Sequence, residues 1–159
     1  MRNLVLVAAL LLALVIIAPT LEDRPAEAGA QLTGHANVLS GDMLEIDGQR
    51  IKLFGIHAPG LTEVCKVENI RSECGGHVSV LLAGHIGQRV VRCDQQGMSN
   101  DNAWLAICFL GNEDLNAWMV VHGHAAADRA ISERYVKEEA EAKSNHRDLW
   151  LWPHYFEYE

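Results

Sequence analysis

The order of strands and helices that the sequence predicts favours one α+β domain, built on a five-stranded barrel with three helices. Three short strands come first, followed by a helix, two more strands and two further helices. The chain has 159 residues and no repeat or internal linker, which favours one domain over residues 31–159. Three antiparallel strands, with two more that flank a helix, are the arrangement of a Greek-key barrel of the OB-fold type.

The three strands of the first half follow from alternation and from one turn. Alternating apolar residues predict strands over 32–39 and 43–46. An Asp-Gly pair at 47–48 is a strong hairpin signal, and a third strand is predicted over 49–54. These three strands are expected to pair with one another in sequence order.

The second half alternates helix and strand. Residues 60–71 are polar and predict an irregular segment. Apolar residues that recur three, four and eight positions apart predict a helix over 74–86. Strands over 89–93 and 104–109 follow, joined by a loop rich in Gly, Asn and Asp.

Two helices close the domain. Asp114 is a good N-cap for a helix that runs to Val121, and Trp118 falls on the apolar face of that helix. Ser132 is the expected cap of the last helix, which is rich in Glu and Ala and runs toward Asn145.

Residues 1–30 differ from the rest of the chain. Arg2 precedes an apolar run over 4–18, and small residues at 28–30 offer a cleavage site. We interpret this segment as an export signal with Gln31 as the mature N-terminus, in a bacterial protein that is periplasmic or secreted. The apolar run is shorter than the roughly 20 residues of a spanning helix, which favours the signal. The alternative is an uncleaved anchor, because the stretch between the apolar run and the cleavage site is long; it would be the protein's one contact with a membrane.

Four cysteines follow the predicted signal: Cys65, Cys74, Cys93 and Cys108. An even number in an oxidising compartment predicts two disulfides. Three pairings exist, and the sequential one closes the shortest loops. A zinc site is the alternative, but the chain contains no C-x-x-C pair.

The charge of the chain limits its partners. Without residues 1–30 there are 11 Lys and Arg against 18 Asp and Glu, a net charge of −7. Proteins that bind nucleic acid tightly usually present a basic surface, because neutralising phosphates supplies much of the affinity. The composition therefore disfavours a nucleic-acid partner.

Four segments match, in order and spacing, the framework of a known family. They are SGDMLEIDGQRIKLFGIHAP at 40–59, ECGGHVSVLLAGHIGQRVVRC at 73–93, WLAICFLGNEDLNAWMVVHGHA at 104–125 and YVKEEAEAKSNHRDLW at 135–150. They resemble the motifs of secreted staphylococcal nuclease-like proteins (thermonucleases), V-x-D-G-D-T-L, R-L-x-G-I-D-A-P-E, C-G-x-x-A, D-R-Y-G-R-x-L-A, L-N-x-x-M-V-x-x-G-x-A and G-L-W. The resemblance covers nearly all of the chain after the predicted signal and implies the staphylococcal nuclease-like OB-fold. Asp148 stands where the last motif has glycine.

The catalytic positions of that family are mostly changed. In the family, two aspartates hold calcium, a glutamate activates water, and two arginines bind the phosphate. Asp42 aligns with one of the aspartates and is unchanged, whereas His57 stands in place of the other. Gly60 stands in place of the glutamate, and Lys52 and Ala103 stand in place of the two arginines. The resemblance therefore implies a calcium cofactor only if family activity is retained, and we expect none of the catalytic groups to work as in the family.

Replacement chemistry is the alternative. Glu63 lies three positions after Gly60 and is the candidate substitute base. Asp42 and His57 are candidate ligands for zinc or another transition metal, although two ligands do not complete a site. His122 and His124 are assigned to the end of their helix rather than to a metal.

Two functions follow as expectations. The first is an exported, disulfide-stabilised domain that no longer catalyses and instead binds an envelope protein or glycan. Some family members accompany genes for extracellular polysaccharide synthesis, which makes that pathway one expected setting. The second is a metal-dependent phosphodiesterase or nuclease with a rebuilt site around Asp42, Lys52, His57 and Glu63.

Overall fold

A computed structural model describes residues 29–67 and 70–151. The predicted export signal therefore lies outside the described residues, apart from Gly29 and Ala30. The described part contains eleven strands, three α-helices and one 3-10 helix. The strands are β1 (Gln31–His35), β2 (Asn37–Ser40), β3 (Met43–Ile46), β4 (Gln49–Leu53), β5 (Ile56–His57), β6 (Cys65–Val67), β7 (Ile70–Ser72), β8 (Val90–Met98), β9 (Trp104–Leu110), β10 (Glu113–Asp114) and β11 (Ala126–Ala127). The helices are α1 (Cys74–Ile86), α2 (Leu115–Val121), α3 (Val136–Ser144) and the 3-10 helix Asp148–Leu151.

The main sheet is strongly curled, as the barrel prediction requires. Its strand order is β1-β8-β9-β4-β3-β2, and β10 adds to β9. The first and last strands of this order, β1 and β2, are consecutive in sequence with only Ala36 between them. The predicted strand over 32–39 is thus one bent strand, whose first half pairs with β8 and whose second half pairs with β3. The predicted α+β, OB-fold-like architecture with three helices is confirmed.

Strand β4 connects the two halves of this sheet. It pairs antiparallel with β3 and parallel with β9. Ile51 and Leu53 point into the core and are almost fully buried, whereas Arg50 and Lys52 alternate to the other face. This alternation fixes which side chains of β4 can take part in surface chemistry.

The helices close one side of the sheet. Helix α1 has the predicted bounds and buries Val78, Leu82 and Ile86. Helix α2 begins after Asp114, whose side chain accepts a hydrogen bond from Ala117 N at 3.0 Å, as expected for the cap. Both predictions rest on local patterns that the tertiary structure preserves.

The start of the last helix was predicted wrongly. Helix α3 begins at Val136, and Ser132 does not cap it. The Ser132 hydroxyl instead accepts a hydrogen bond from Arg134 N at 3.1 Å, and Ser132 N donates to Asp128 O at 2.9 Å. The polar residues of this segment are used in a local turn that delivers Tyr135, which is 1% exposed, into the core.

The segment over 60–71 is less irregular than predicted, and one strand is longer. Strands β6 and β7 form a short hairpin in which Cys65 lies opposite Ser72. Strand β8 extends to Met98, five residues past its predicted end, because it pairs along its length with β9. The hairpin and the longer strand were not predicted because these segments are polar, whereas strand pairing depends on backbone partners rather than on apolar content.

Two disulfides join Cys65 to Cys74 and Cys93 to Cys108, which is the sequential pairing. The second links directly opposed residues of β8 and β9 in the core, where both cysteines are fully buried. Disulfides of this kind are typical of extracellular or periplasmic proteins. None of the helices in the described residues is long and apolar enough to cross a membrane.

Candidate functional site

Asp42, which the resemblance aligns with a calcium-binding aspartate, lies in the turn between β2 and β3 and is 7% exposed. The turn presses closely on helix α1: a Cβ on Gly41 would lie 2.6 Å from Val78 and 2.9 Å from Ala58. Only glycine fits this approach, so the packing of the turn determines where the Asp42 carboxylate lies.

Protein groups surround the Asp42 carboxylate. Its Oδ1 accepts a hydrogen bond from the Ser40 hydroxyl at 3.0 Å, and its Oδ2 lies 3.5 Å from Ala58 N. Lys52 Nζ is 3.8 Å from the same Oδ2. Ser40 and Ala58 thus use part of the carboxylate's hydrogen-bonding capacity, and Lys52 offsets its charge.

Lys52 lies beside Asp42 because of strand register. It stands opposite Met43 of β3 on one side and Leu105 of β9 on the other. Its side chain is about one third exposed, so a phosphate or sulfate could still approach it. Lysine offers that anion a point charge without the bidentate fork of arginine.

A second cation on the same strand is already paired. Arg50 lies 3.3 Å from the Asp101 carboxylate and donates a 2.7 Å hydrogen bond to the Asp101 carbonyl. A hydrogen bond from Ser99 holds the pKa of Asp101 below its ordinary value, and the positive charges of Arg50 and Lys52 lower it further. Asp101 therefore stays ionised and offsets much of the positive charge on this face.

His57 is in β5, where it pairs with Ala126 of β11, and its side chain is exposed. Ala58, the next residue in the chain, contacts Asp42: its backbone N lies 3.5 Å from Asp42 Oδ2. Within the described residues, no three His, Cys, Asp or Glu side chains are arranged to hold a metal ion. The pair Asp42 and His57 remains a candidate that would need other ligands.

Gly60 and Glu63 are brought together in a tight turn. Glu63 N donates to Gly60 O at 2.7 Å, and Gly60 N donates to the Glu63 carboxylate at 2.9 Å. A Cβ on residue 60 would lie 3.7 Å from that carboxylate. The Glu63 carboxylate thus lies close to the space that a side chain at position 60 would enter.

Ala103 is fully buried just before β9. Its N–H and carbonyl are both bonded to Ser99, at 3.0 Å to the hydroxyl and at 2.9 Å to the backbone N–H. The methyl group at this position carries no charge or hydrogen-bonding group that could stabilise a phosphate.

A second cluster of chemistry-bearing residues was not anticipated from the sequence. The ring of Trp118 is surrounded by His85, stacked at 3.9 Å between centroids, His122 at 4.8 Å and His124 at 5.1 Å. Trp118 is half-buried and packs against the core, as its place on the apolar face of α2 predicts, and these imidazoles lie around its ring. The rings come from residues up to 39 positions apart, so no local motif could have revealed that His85 joins the other three.

Asp148 connects this cluster to the C-terminal 3-10 helix. Its carboxylate lies 2.5 Å from His124 Nδ1 and 3.1 Å from His77 Nε2. Burial acts to raise the pKa of Asp148, but the hydrogen bonds and charge of His124 and His77 outweigh it and hold this pKa below its ordinary value. Its φ of 41° is in the left-handed region, where glycine is usual, so the carboxylate contacts accompany a strained backbone.

Comparison with known proteins gives one informative relative. No protein-family model matches the chain. The chain is 31% identical over 140 residues to the succinoglycan biosynthesis protein ExoI of Rhizobium meliloti (strain 1021), and the match covers 85% of this chain and 73% of ExoI.

Proposed function

The chain belongs to the same family as the succinoglycan biosynthesis protein ExoI, and from this premise we propose that it is an exported accessory protein of extracellular polysaccharide synthesis. We further propose that it is a staphylococcal nuclease-like domain whose family catalysis has been lost. In this role it would bind an envelope glycan or protein. The curled sheet and the two disulfides support a secreted domain of this kind.

The state of Asp42 is the observation that carries the proposed loss of catalysis. Its carboxylate is the one family acid kept, and Ser40, Ala58 and Lys52 already contact it. Calcium takes six to eight oxygen ligands, and a histidine at position 57 is a poor substitute for a carboxylate. With a single, internally bonded carboxylate, calcium affinity would be at best about millimolar.

The other changed positions act in the same direction. Gly60 cannot accept a proton, and loss of a general base costs about 10²–10⁴ in rate. The buried Ala103 cannot replace an arginine that stabilises a transition state, which is worth about 10³–10⁵ in related phosphoryl transfers. These factors are not additive, but two of them together would leave little activity.

Deletion and complementation in the bacterium that carries the gene test this function. We expect the deletion to lower the yield of extracellular polysaccharide, and both the wild-type chain and Asp42→Asn to restore it. Asp42→Asn keeps the size of the side chain, so circular dichroism should verify an unchanged fold. A deletion without effect on polysaccharide contradicts the accessory role. A folded Asp42→Asn that fails to restore the yield contradicts the loss of catalysis.

A rebuilt phosphodiesterase site is the second candidate, because the Glu63 carboxylate lies 3.7 Å from where a residue-60 side chain would begin. Cleavage of single-stranded DNA and of bis(p-nitrophenyl) phosphate, with calcium, zinc or manganese, tests it. This candidate predicts turnover that both Glu63→Gln and Asp42→Asn abolish. The accessory proposal predicts no turnover by the wild type.

A partly restored variant is the matched comparison for the wild type. His57→Asp, Gly60→Glu and Lys52→Arg return three family residues at sites that are exposed or partly exposed. Ala103→Arg is left out, because a guanidinium at this fully buried position would disturb the packing before β9. A silent wild type beside an active variant would support an intact scaffold without its catalysis.

A further inference from the structure

The cluster around Trp118 lies apart in sequence from the changed catalytic positions. We call it the Trp118 surface and define it as Trp118, His85, His122 and His124 with the two carboxylates Glu113 and Asp148. Helix α1, helix α2 with the turn after it, strand β10 and the 3-10 helix each contribute to it. The rings of His122 and His124 are 5.9 Å apart and nearly parallel.

Each imidazole of the surface is held by an acceptor. His85 Nε2 lies 2.7 Å from Glu113 Oε2, and His122 Nδ1 lies 2.9 Å from the Trp118 carbonyl. His124 Nδ1 lies 2.5 Å from Asp148 Oδ2. Carbonyls and ionised carboxylates can only accept, so the nitrogen that faces them carries the hydrogen.

The opposite nitrogen of each neutral ring is therefore a hydrogen-bond acceptor with a fixed direction: Nδ1 of His85 and Nε2 of His122 and His124. His122 is exposed, and the side chain of His85 is 22% exposed. Side chains already held in one orientation lose less entropy on binding, which is the usual advantage of a preorganised site.

The combination of groups identifies a class of ligand. Flat aromatic rings contact the C–H face of a sugar ring, while in-plane acceptors and carboxylates receive its hydroxyl hydrogens. The two carboxylates make the surface acidic when the imidazoles are neutral, which disfavours recognition of a phosphate group. The surface thus suits hydroxyl groups and apolar sugar faces better than anions.

We propose that the Trp118 surface is a saccharide-binding site, in which the face of His85 turned away from Trp118 contacts the sugar ring and His122 accepts hydrogen bonds from sugar hydroxyls. The saccharide as partner rests on the proposed role in polysaccharide synthesis; the position of the site rests on the geometry above.

Titration of the oxidised, exported chain with succinoglycan by calorimetry at pH 8 tests the site, because imidazole ordinarily titrates below this pH. We expect His122→Ala and His85→Ala to raise the Kd about ten-fold each, the usual scale for one lost hydrogen bond or stacking contact. His35→Ala, which removes an exposed imidazole from strand β1, should leave the Kd unchanged. Inorganic polyphosphate, an anion without sugar rings, should not compete.

The outcomes separate this proposal from the proposed function. Binding of succinoglycan that His122→Ala and His85→Ala leave intact overturns the site and leaves the accessory role standing. Absence of binding by the wild type also overturns the site, while the deletion experiment decides the accessory role independently. Competition by polyphosphate overturns the assignment to sugars. Circular dichroism of each variant ensures that a lost fold is not read as lost binding.

Discussion

Asn116→Ala removes a fully buried amide that joins three parts of the fold. Its Oδ1 accepts a hydrogen bond from Cys108 N at 3.0 Å in strand β9. Its Nδ2 donates to Phe54 O at 2.9 Å, just after β4, and to Ala106 O at 3.1 Å. These hydrogen bonds join helix α2 to the parallel pair β4 and β9. The pairing of these two strands also fixes the position of Lys52.

The expected cost follows from counting the groups left without a partner. Ala106 O keeps the hydrogen bond from Phe54 N at 2.8 Å, so it remains satisfied. Cys108 N and Phe54 O would each lose the Asn116 partner. A buried polar group without a partner costs about 1–3 kcal/mol, and the Phe54 carbonyl is only partly buried, so we expect a loss of about 2–4 kcal/mol.

Urea unfolding followed by circular dichroism measures this loss. With an m value of about 2 kcal/mol/M, the midpoint should fall by about 1–2 M. Asn145→Ala is the control, because Asn145 makes an exposed hydrogen bond to Glu141 O at 2.8 Å and should cost well under 1 kcal/mol. A loss below about 1 kcal/mol for Asn116→Ala, with m unchanged, would refute the argument from unpaired backbone groups.

Three further predictions follow from other buried contacts. The pKa of Asp148 is lowered by His124 and His77, so its contribution to stability is present above its unfolded pKa of about 3.9 and is lost as pH falls through the lower folded pKa; the difference in unfolding free energy between wild type and Asp148→Asn should therefore shrink below about pH 4. Burial and the charge of Asp114 raise the pKa of Tyr135. Because the chain also contains Tyr155 and Tyr158, the measured quantity is the difference in tyrosinate absorbance between the wild type and Tyr135→Phe; this difference should appear only where the fold is lost, and a difference in the folded chain would contradict the prediction. Tyr135→Phe should also cost about 1–2 kcal/mol, since the hydroxyl donates to Asp114 at 3.1 Å. Removing the Cys93–Cys108 disulfide with Cys93→Ala and Cys108→Ala should cost about 3 kcal/mol or more. Removing the Cys65–Cys74 disulfide with Cys65→Ser and Cys74→Ser should cost somewhat less, because the loop closed by Cys93–Cys108 is longer and its cysteines are fully buried. Equal midpoints in urea for the two double variants would contradict the ranking.

Local patterns predicted much of the fold. The helix Cys74–Ile86 and the cap at Asp114 came out as expected, because apolar spacing and capping act within one or two turns. The predicted start of α3 was wrong, because Ser132 has the chemistry of a cap but forms its hydrogen bond within a local turn. The extension of β8 to Met98 was not predicted, because it depends on pairing with β9, which is a separate segment of the chain.

The candidate site divides in the same way. That Lys52 and Asp42 lie near one another was implied by the family motifs, but their 3.8 Å contact depends on the register of β3 and β4. Folding of Glu63 back onto Gly60 required the turn geometry. Trp118, His122 and His124 are close together in the sequence, but His85 and Asp148 join the Trp118 surface only through the tertiary structure.

The sequence by itself determined the α+β class, the helix Cys74–Ile86, the cap of the helix Leu115–Val121 and the even set of cysteines. Composition and short-range spacing suffice for these features because each depends on the residue itself or on near neighbours. The tertiary structure alone decided that Asp42 is bonded by protein groups, that Ala103 is fully buried, and that three imidazoles gather around Trp118. Such features depend on distances between residues far apart in the chain, which the packing of helices on a curled sheet sets.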